Sequence, residues 1–243
     1  MAAPEFQAAG TGTREGAWST SSPAEIEYPT GIAAGHLLLC HFECELAASA
    51  TTPTDWTLLY GPLDLTSLRR SYIFAKSATG SESGLLSVPC TVGGTSQDAA
   101  GRIYRFTGWA NSATMADNFE GGSFGTGTDA TIEQPSITTS GAERLCVAFV
   151  HVADDNALDA FTGTTGGTWG EAVAEYAQAT GDDFAMGLQT ATLASAGTIS
   201  GGVDTMAAAD PWGVQTFAIK PVASALPPRS LNVNQAVTRA SYW

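Results

Sequence analysis

The side chains able to do chemistry in this chain are few. There are three histidines (His36, His41, His151), four cysteines and several small groups of carboxylates. Cys40, His41 and Cys44 come nearest to a metal-ligand spacing. A zinc site needs at least three converging protein donors. On a strand Cys40 and Cys44 point to one face and His41 to the other, and no second Cys-x-x-Cys pair is present. No metal is expected there. His41 and His151 fall in similar places of two buried runs and read as structural histidines. Gly121-Gly122-Ser123-Phe124-Gly125 superficially resembles a nucleophile elbow, but no strand–turn–helix pattern surrounds it. Asp154, Asp155 and Asp159, and the pair Asp182-Asp183, offer oxygens that suit calcium. Their spacing fits no EF-hand loop, so solvated hairpin turns are the expectation. A glycosidase needs two carboxylates facing across a cleft. Glu82 and Asp183 each follow an Ala-Thr-Gly turn, so internal repetition accounts for them more simply. The expectation is therefore no catalytic residue, no metal, no cofactor and no enzymatic activity.

The elements that must position these residues are strands, and they come twice. Leu37-Leu38-Leu39-Cys40-His41-Phe42 is followed by Asp55-Trp56-Thr57-Leu58-Leu59, by Ala78-Thr79-Gly80 and by Ile103-Tyr104-Arg105-Phe106. In the same order come Leu145-Cys146-Val147-Ala148-Phe149-Val150, Thr168-Trp169-Gly170, Ala179-Thr180-Gly181 and Val214-Gln215-Thr216-Phe217-Ala218-Ile219. Short runs rich in Val, Ile, Thr and aromatics, parted by Gly, Pro, Asp and Ser, read as strands. They lie near 36–45, 56–60, 70–77, 84–92, 101–107, 115–120, 129–133, 144–152, 171–178, 184–193, 197–203 and 213–220. Glu171–Gln178 contains helix formers, but its place in the repeat makes it a strand. The expected fold is all-β: a β-sandwich, jelly-roll-like, with pseudo-repeated halves and extended N- and C-terminal arms. The halves span about 31–110 and 141–221 of a sandwich domain at 31–221. Residues 1–30 form an N-terminal arm with a first strand from Trp18 to Tyr28. Residues 222–243 form a C-terminal arm.

Composition narrows the partners. Only 14% of residues are charged, against roughly 25% in ordinary soluble domains, and the net charge is −14. An acidic body repels phosphate backbones and anionic lipid, so neither nucleic acid nor a membrane is expected as a partner. No apolar run reaches the roughly 18 residues that span a bilayer. Met1-Ala2-Ala3-Pro4-Glu5 has no charged and apolar leader pattern, so synthesis in a cytoplasm, with no obvious route of export, is expected. The cysteines fit that compartment: Cys40 and Cys44 share a strand face with Phe42, and Cys146 with Ala148 and Val150, as buried free thiols would. The C-terminal arm has no acidic residue. Arg229 and Arg239 give it +2, which leaves −16 on the rest. With Tyr242 and Trp243 at its end, it suits an acidic neighbouring surface with an aromatic pocket.

Five motifs stand out: Pro29-Thr30-Gly31-Ile32-Ala33-Ala34-Gly35-His36-Leu37-Leu38-Leu39, Pro53-Thr54-Asp55-Trp56-Thr57-Leu58-Leu59, Tyr72-Ile73-Phe74-Ala75-Lys76-Ser77-Ala78-Thr79-Gly80-Ser81-Glu82, Tyr104-Arg105-Phe106-Thr107-Gly108 and Ala218-Ile219-Lys220-Pro221. In these the chain resembles a family of bacteriophage virion proteins of the minor tail or head-decoration type, and the likeness covers residues 1 to about 221. His36 stands where the family pattern has Asp, and Asp55 where it has Gly; both fall in expected turns. The resemblance implies a structural component of the virion, decorating the capsid or forming a tail or fibre appendage. Its partners would be other virion proteins and copies of itself, a trimer being common for such appendages. The alternative is a carbohydrate-binding adhesin that attaches to a host surface glycan. Trp109, Phe119 and Phe124 are its candidate contacts, with Trp109 expected to be the most exposed. Trp56, Trp169 and Trp212 are expected to pack the sandwich.

Overall fold

In the computed structural model the described residues are 2–15, 23–45, 47–65, 69–91, 98–154, 156–178 and 184–223. The first half contains β1 (Glu5–Ala9), β2 (Thr13–Glu15), β3 (Ala24–Glu27), β4 (Leu37–Glu45), β5 (Ser49–Ala50), β6 (Thr57–Leu65), β7 (Arg69–Ser77), β8 (Leu85–Val88), β9 (Cys90–Thr91) and β10 (Ala99–Thr107). After a 3-10 turn at Met115–Asn118, the second half adds β11 (Phe119–Gly127), β12 (Thr131–Glu133), β13 (Ile137–Thr139), β14 (Arg144–Val152) and β15 (Gly170–Gln178). It closes with β16 (Phe184–Leu193), β17 (Gly197–Ile199), β18 (Val203–Thr205) and β19 (Trp212–Ile219). The segment Glu171–Gln178 is a strand, as its place in the repeat requires.

The repetition read from the sequence is a repetition of topology. The first large sheet runs β1-β10-β4-β7-β6, with β2 also on β10; the second runs β11-β19-β14-β16-β15. All these pairings are antiparallel. Leu37 pairs with Phe106 and Ser77 in the first sheet, and Leu145 with Ile219 and Thr192 in the second. Those ladders make Leu37 and Leu145 equivalent, and hence His41 equivalent to Phe149 and Glu43 to His151. The two histidines are thus offset by two residues within the repeat.

Each large sheet is covered on both faces. Outside the first, β3–β8 and β5–β9 close a core that contains Cys40, Phe42, Cys44, Phe74, Ile26 and Val88. Outside the second, β12–β18 and β13–β17 close a core with Cys146, Ala148, Val150, Ile137, Ile199 and Trp212. Between the sheets lies a third core: Leu37, Leu39, Ile73, Tyr104 and Phe106 meet Leu145, Val147, Phe149, Leu188 and Phe217. Strands covered on both faces read as continuous apolar runs. That is why Leu37-Leu38-Leu39-Cys40 and all of β19 lack alternation. All four cysteines are free and buried, and Cys40, Cys44 and Cys146 lie on the faces their parity required. Burial pushes the Cys40 thiol far up and, first among its causes, holds Cys146 at about 12. Both therefore stay protonated and inert.

The N-terminal segment departs from expectation. Residues 5–9, read as part of an arm, are β1 and form the edge of the first sheet beside β10. Of the strand expected at Trp18–Tyr28, residues 24–27 form β3, and residues 18–22 lie outside the described ones. Gly10 allows this docking, because a Cβ there would sit 2.1 Å from the Glu27 carbonyl oxygen. The short run Glu5-Phe6-Gln7-Ala8-Ala9 has weak alternation, and its pairing comes from β10, nearly a hundred residues away.

Candidate functional site: a polar cluster sealed between the sheets

Two groups of residues gather functional-type side chains. The first is the family-like framework at one end of the first half. Gly35 takes φ +81° in the turn that enters β4. Its N–H donates to the Ala78 carbonyl, and the Ala78 N–H to the His36 carbonyl, each at 2.8 Å. Glu82 lies beneath the Ala78-Thr79-Gly80 turn. Its carboxylate accepts from the backbone N–H groups of Thr79 and Gly80 at 2.9 Å and from the Thr79 hydroxyl at 3.0 Å. Lys76 Nζ lies 3.2 Å away. Burial acts to raise the Glu82 pKa, but these hydrogen bonds outweigh it and hold the group at about 2. The sequence motifs joined here are a structural lock: a carboxylate closing a turn.

This lock has a pH signature. A carboxyl depressed in the folded state contributes stability that is complete above its unfolded value, near 4.5, and disappears as pH falls through about 2. Glu82→Gln is expected to destabilise by about 2 kcal/mol at pH 7, the scale of hydrogen bonds to a charged acceptor. The gap to wild type should close between pH 4.5 and 2. Urea midpoints measured across that range check it; a pH-independent gap would show that ionisation is not the source.

The second group lies between the sheets, at the end of the third core. His41 and Glu43 on β4 and His151 on β14 are sealed from solvent, with Phe149 edge-on to His41 at 5.4 Å. The two imidazole rings are 5.4 Å apart. His41 Nε2 lies 3.0 Å from the Ser71 hydroxyl on β7, and His151 Nδ1 lies 3.3 Å from Glu43 Oε1. Arg69 on β7 sits over the Phe184 ring at 5.2 Å. Gly213, opposite His151 on β19, leaves room for the ring: a Cβ there would fall 2.3 Å from His151 Nε2. Despite this crowding, His41 Nδ1, both Glu43 oxygens and both His151 ring nitrogens have no hydrogen-bond partner.

Burial sets the charge states. It lowers His41 to about 3 and pushes His151 well down, helped for His151 by His41 and Arg69. It raises Glu43 to about 8, against the pull of Arg69. Burial thus works against the charged form of both partners in the Glu43–His151 contact. Among the described residues, His41, Glu43 and His151 are the group whose donor atoms come close enough to hold a metal ion, all within 4.8 Å of one another.

The remaining expected site residues are scattered. Trp109, expected to be exposed, is 2% exposed within the third core, and its Nε1–H donates to the Gly35 carbonyl at 2.7 Å. Phe119 is also buried there, edge-on to Phe217 at 5.4 Å. The correction has one cause. Trp109 bridges to Pro221, just past the last strand of the second half, so the second sheet covers what looked like a free strand end. Phe124 is half-buried and stacks on His151 at 6.3 Å. Trp56, Trp169 and Trp212 are buried, as expected. Arg229, Arg239, Tyr242 and Trp243 lie outside the described residues, as do Asp155, Asp182 and Asp183. Asp159 makes a loop contact, its N–H donating to Asp204. Sequence reasoning missed Glu43; its signal was a charged residue inside an apolar run on the parity of His41.

No protein-family model, curated protein or solved structure matches the chain.

Proposed function

We propose that the protein is a non-enzymatic structural component of a bacteriophage virion, built into the particle through contacts with other virion proteins and with copies of itself. The observation that carries this reading is the use made of the chemically capable residues. His41, Glu43 and His151 are sealed inside the body, Gly35, Trp56 and Glu82 of the virion-like motifs serve turns and cores, and Trp109 beside them is buried too. A surface groove between the ends of β16 and β17 is lined by Gly166, Thr192, Leu193, Ser195, Gly197, Thr198 and two alanines, with no acid, base or thiol. A doubled, cross-braced β body suits a building block that carries load between neighbours. The glycan-binding alternative keeps only Phe124 of its three aromatics at a partly open position.

Attachment is assigned to the basic C-terminal arm acting on an acidic partner surface. A chain ending at residue 223 retains the Val222 N–H bond to the Gly108 carbonyl and so keeps the described body intact. It is expected to stay soluble and folded, while its incorporation into particles falls at least ~10-fold for want of the arm's added valency. Quantifying both forms in particles assembled by complementation tests this. Equal incorporation would contradict the arm's role, and glycan-array binding would favour the adhesin.

A further inference from the structure

We propose that His41, Glu43 and His151 form a buried transition-metal site, best suited to zinc, that joins the two halves across the inter-sheet core. The argument begins with the orphaned atoms. Buried polar groups in folded proteins are almost always hydrogen-bonded, and an unpartnered one calls for an ion or a water. Here five such atoms, on three side chains with no more than 1% exposure, face one another in one place. Arg69 acts on Glu43 and His151 through its charge and Ser71 engages only Nε2 of His41; the other close neighbours, Phe149, Phe124, Leu65 and Gly213, bring no polar side chain to the five atoms.

The donor set fits zinc. Two imidazoles and one carboxylate make up a common three-ligand zinc set, and a fourth position is left for water. Soft thiolates are absent from the cluster, and an all-oxygen shell of the kind calcium prefers is not available. Tetrahedral bonds of about 2.1 Å place ligand atoms roughly 3.4 Å apart. The donors are already within 4.8 Å of one another, and the His151–Glu43 pair is at 3.3 Å. Ser71 plays the orienting part usual for a metal-bound histidine. With the His41 Nε2–H donating to its hydroxyl at 3.0 Å, the orphaned Nδ1 carries the free lone pair. Two ligands come from β4 and one from β14, so an ion here ties the first sheet to the second.

The test uses the whole chain, expressed with added zinc, purified without chelator and assayed for metal by mass spectrometry. A second sample is unfolded, freed of metal and refolded with Co2+ as a spectroscopic probe. The expected results are about one zinc per chain and the visible absorption bands of tetrahedral cobalt. Glu43→Gln should abolish both with the strand circular dichroism unchanged. Ser71→Ala, a milder change that guards against misfolding of the first variant, should weaken retention ~10-fold or more. Removing the exposed-turn imidazole, His36→Ala, should change nothing. Absence of both zinc and cobalt signal from the folded wild type would overturn the proposal. So would metal that Glu43→Gln or Ser71→Ala holds as tightly as wild type.

Discussion

Replacing Phe149 with Ala is expected to lower the unfolding free energy by about 3–5 kcal/mol, the cost of truncating a fully buried aromatic. Phe149 has no solvent exposure and sits where the two sheets meet. Its ring packs edge-on against Tyr104 of the first sheet at 5.3 Å and stacks on Phe217 of its own sheet at 5.7 Å. It also lies against His41, so the hole left behind would open onto a polar cluster that cannot collapse cheaply. Because the core is shared, both halves should respond. Urea unfolding followed by tryptophan fluorescence and by far-ultraviolet circular dichroism should shift together. A loss below about 1 kcal/mol, the cost of a site that repacks or never packed, would show that the sheets do not meet through this residue.

The second large effect is expected at Gly166. This glycine lies at φ +83°, and a Cβ there would sit 1.9 Å from the Thr198 carbonyl oxygen. The acceptor is backbone, held in place by the bridge between Thr165 and Ser200. Below the turn, Trp169 and Phe161 pack edge-to-face at 6.1 Å in the second core. Gly166→Ala combines about 1–2 kcal/mol of left-handed strain with about 1–3 kcal/mol of overlap. Its control is Gly163→Ala in the same loop. There φ is +69°, but the nearest atom to a Cβ is 3.8 Å away, so only the strain is paid. Thermal unfolding of the two variants should separate them, with Gly166→Ala clearly the worse. Equal losses would remove the close approach from the account.

What the sequence disclosed follows from what is local. Strand parity placed Cys40, Phe42 and Cys44 on one face and His41 on the other, and the structure puts them in separate cores. The repeat of Trp, Ala-Thr-Gly and closing strand foretold two sheets of one topology. The apolar continuity of Leu37-Leu38-Leu39-Cys40 fits a strand covered on both faces, a meaning that the expectation of one sandwich did not take up. The expected single sandwich leaves one face of each sheet in water, so the two outer cores under β3–β8, β5–β9, β12–β18 and β13–β17 were not foreseen. What stayed hidden depends on how the halves meet. The burial of Trp109, the edge pairing of β1 and the approach of His151 to Glu43 are set by contacts across about a hundred residues, where spacing along the chain carries no information. The two-residue offset that places His151 opposite Glu43, and not opposite His41 in the repeat, becomes visible only from the paired ladders.

Absolute quantification of this polypeptide in density-purified particles of the phage proposed to carry it bears most directly on the proposed role. The expected result is a fixed whole-number ratio to the major capsid protein or the tail proteins, retained through high-salt washing. Particles that are complete and infectious without the chain, with all of it left in the soluble lysate, would contradict a structural place in the virion.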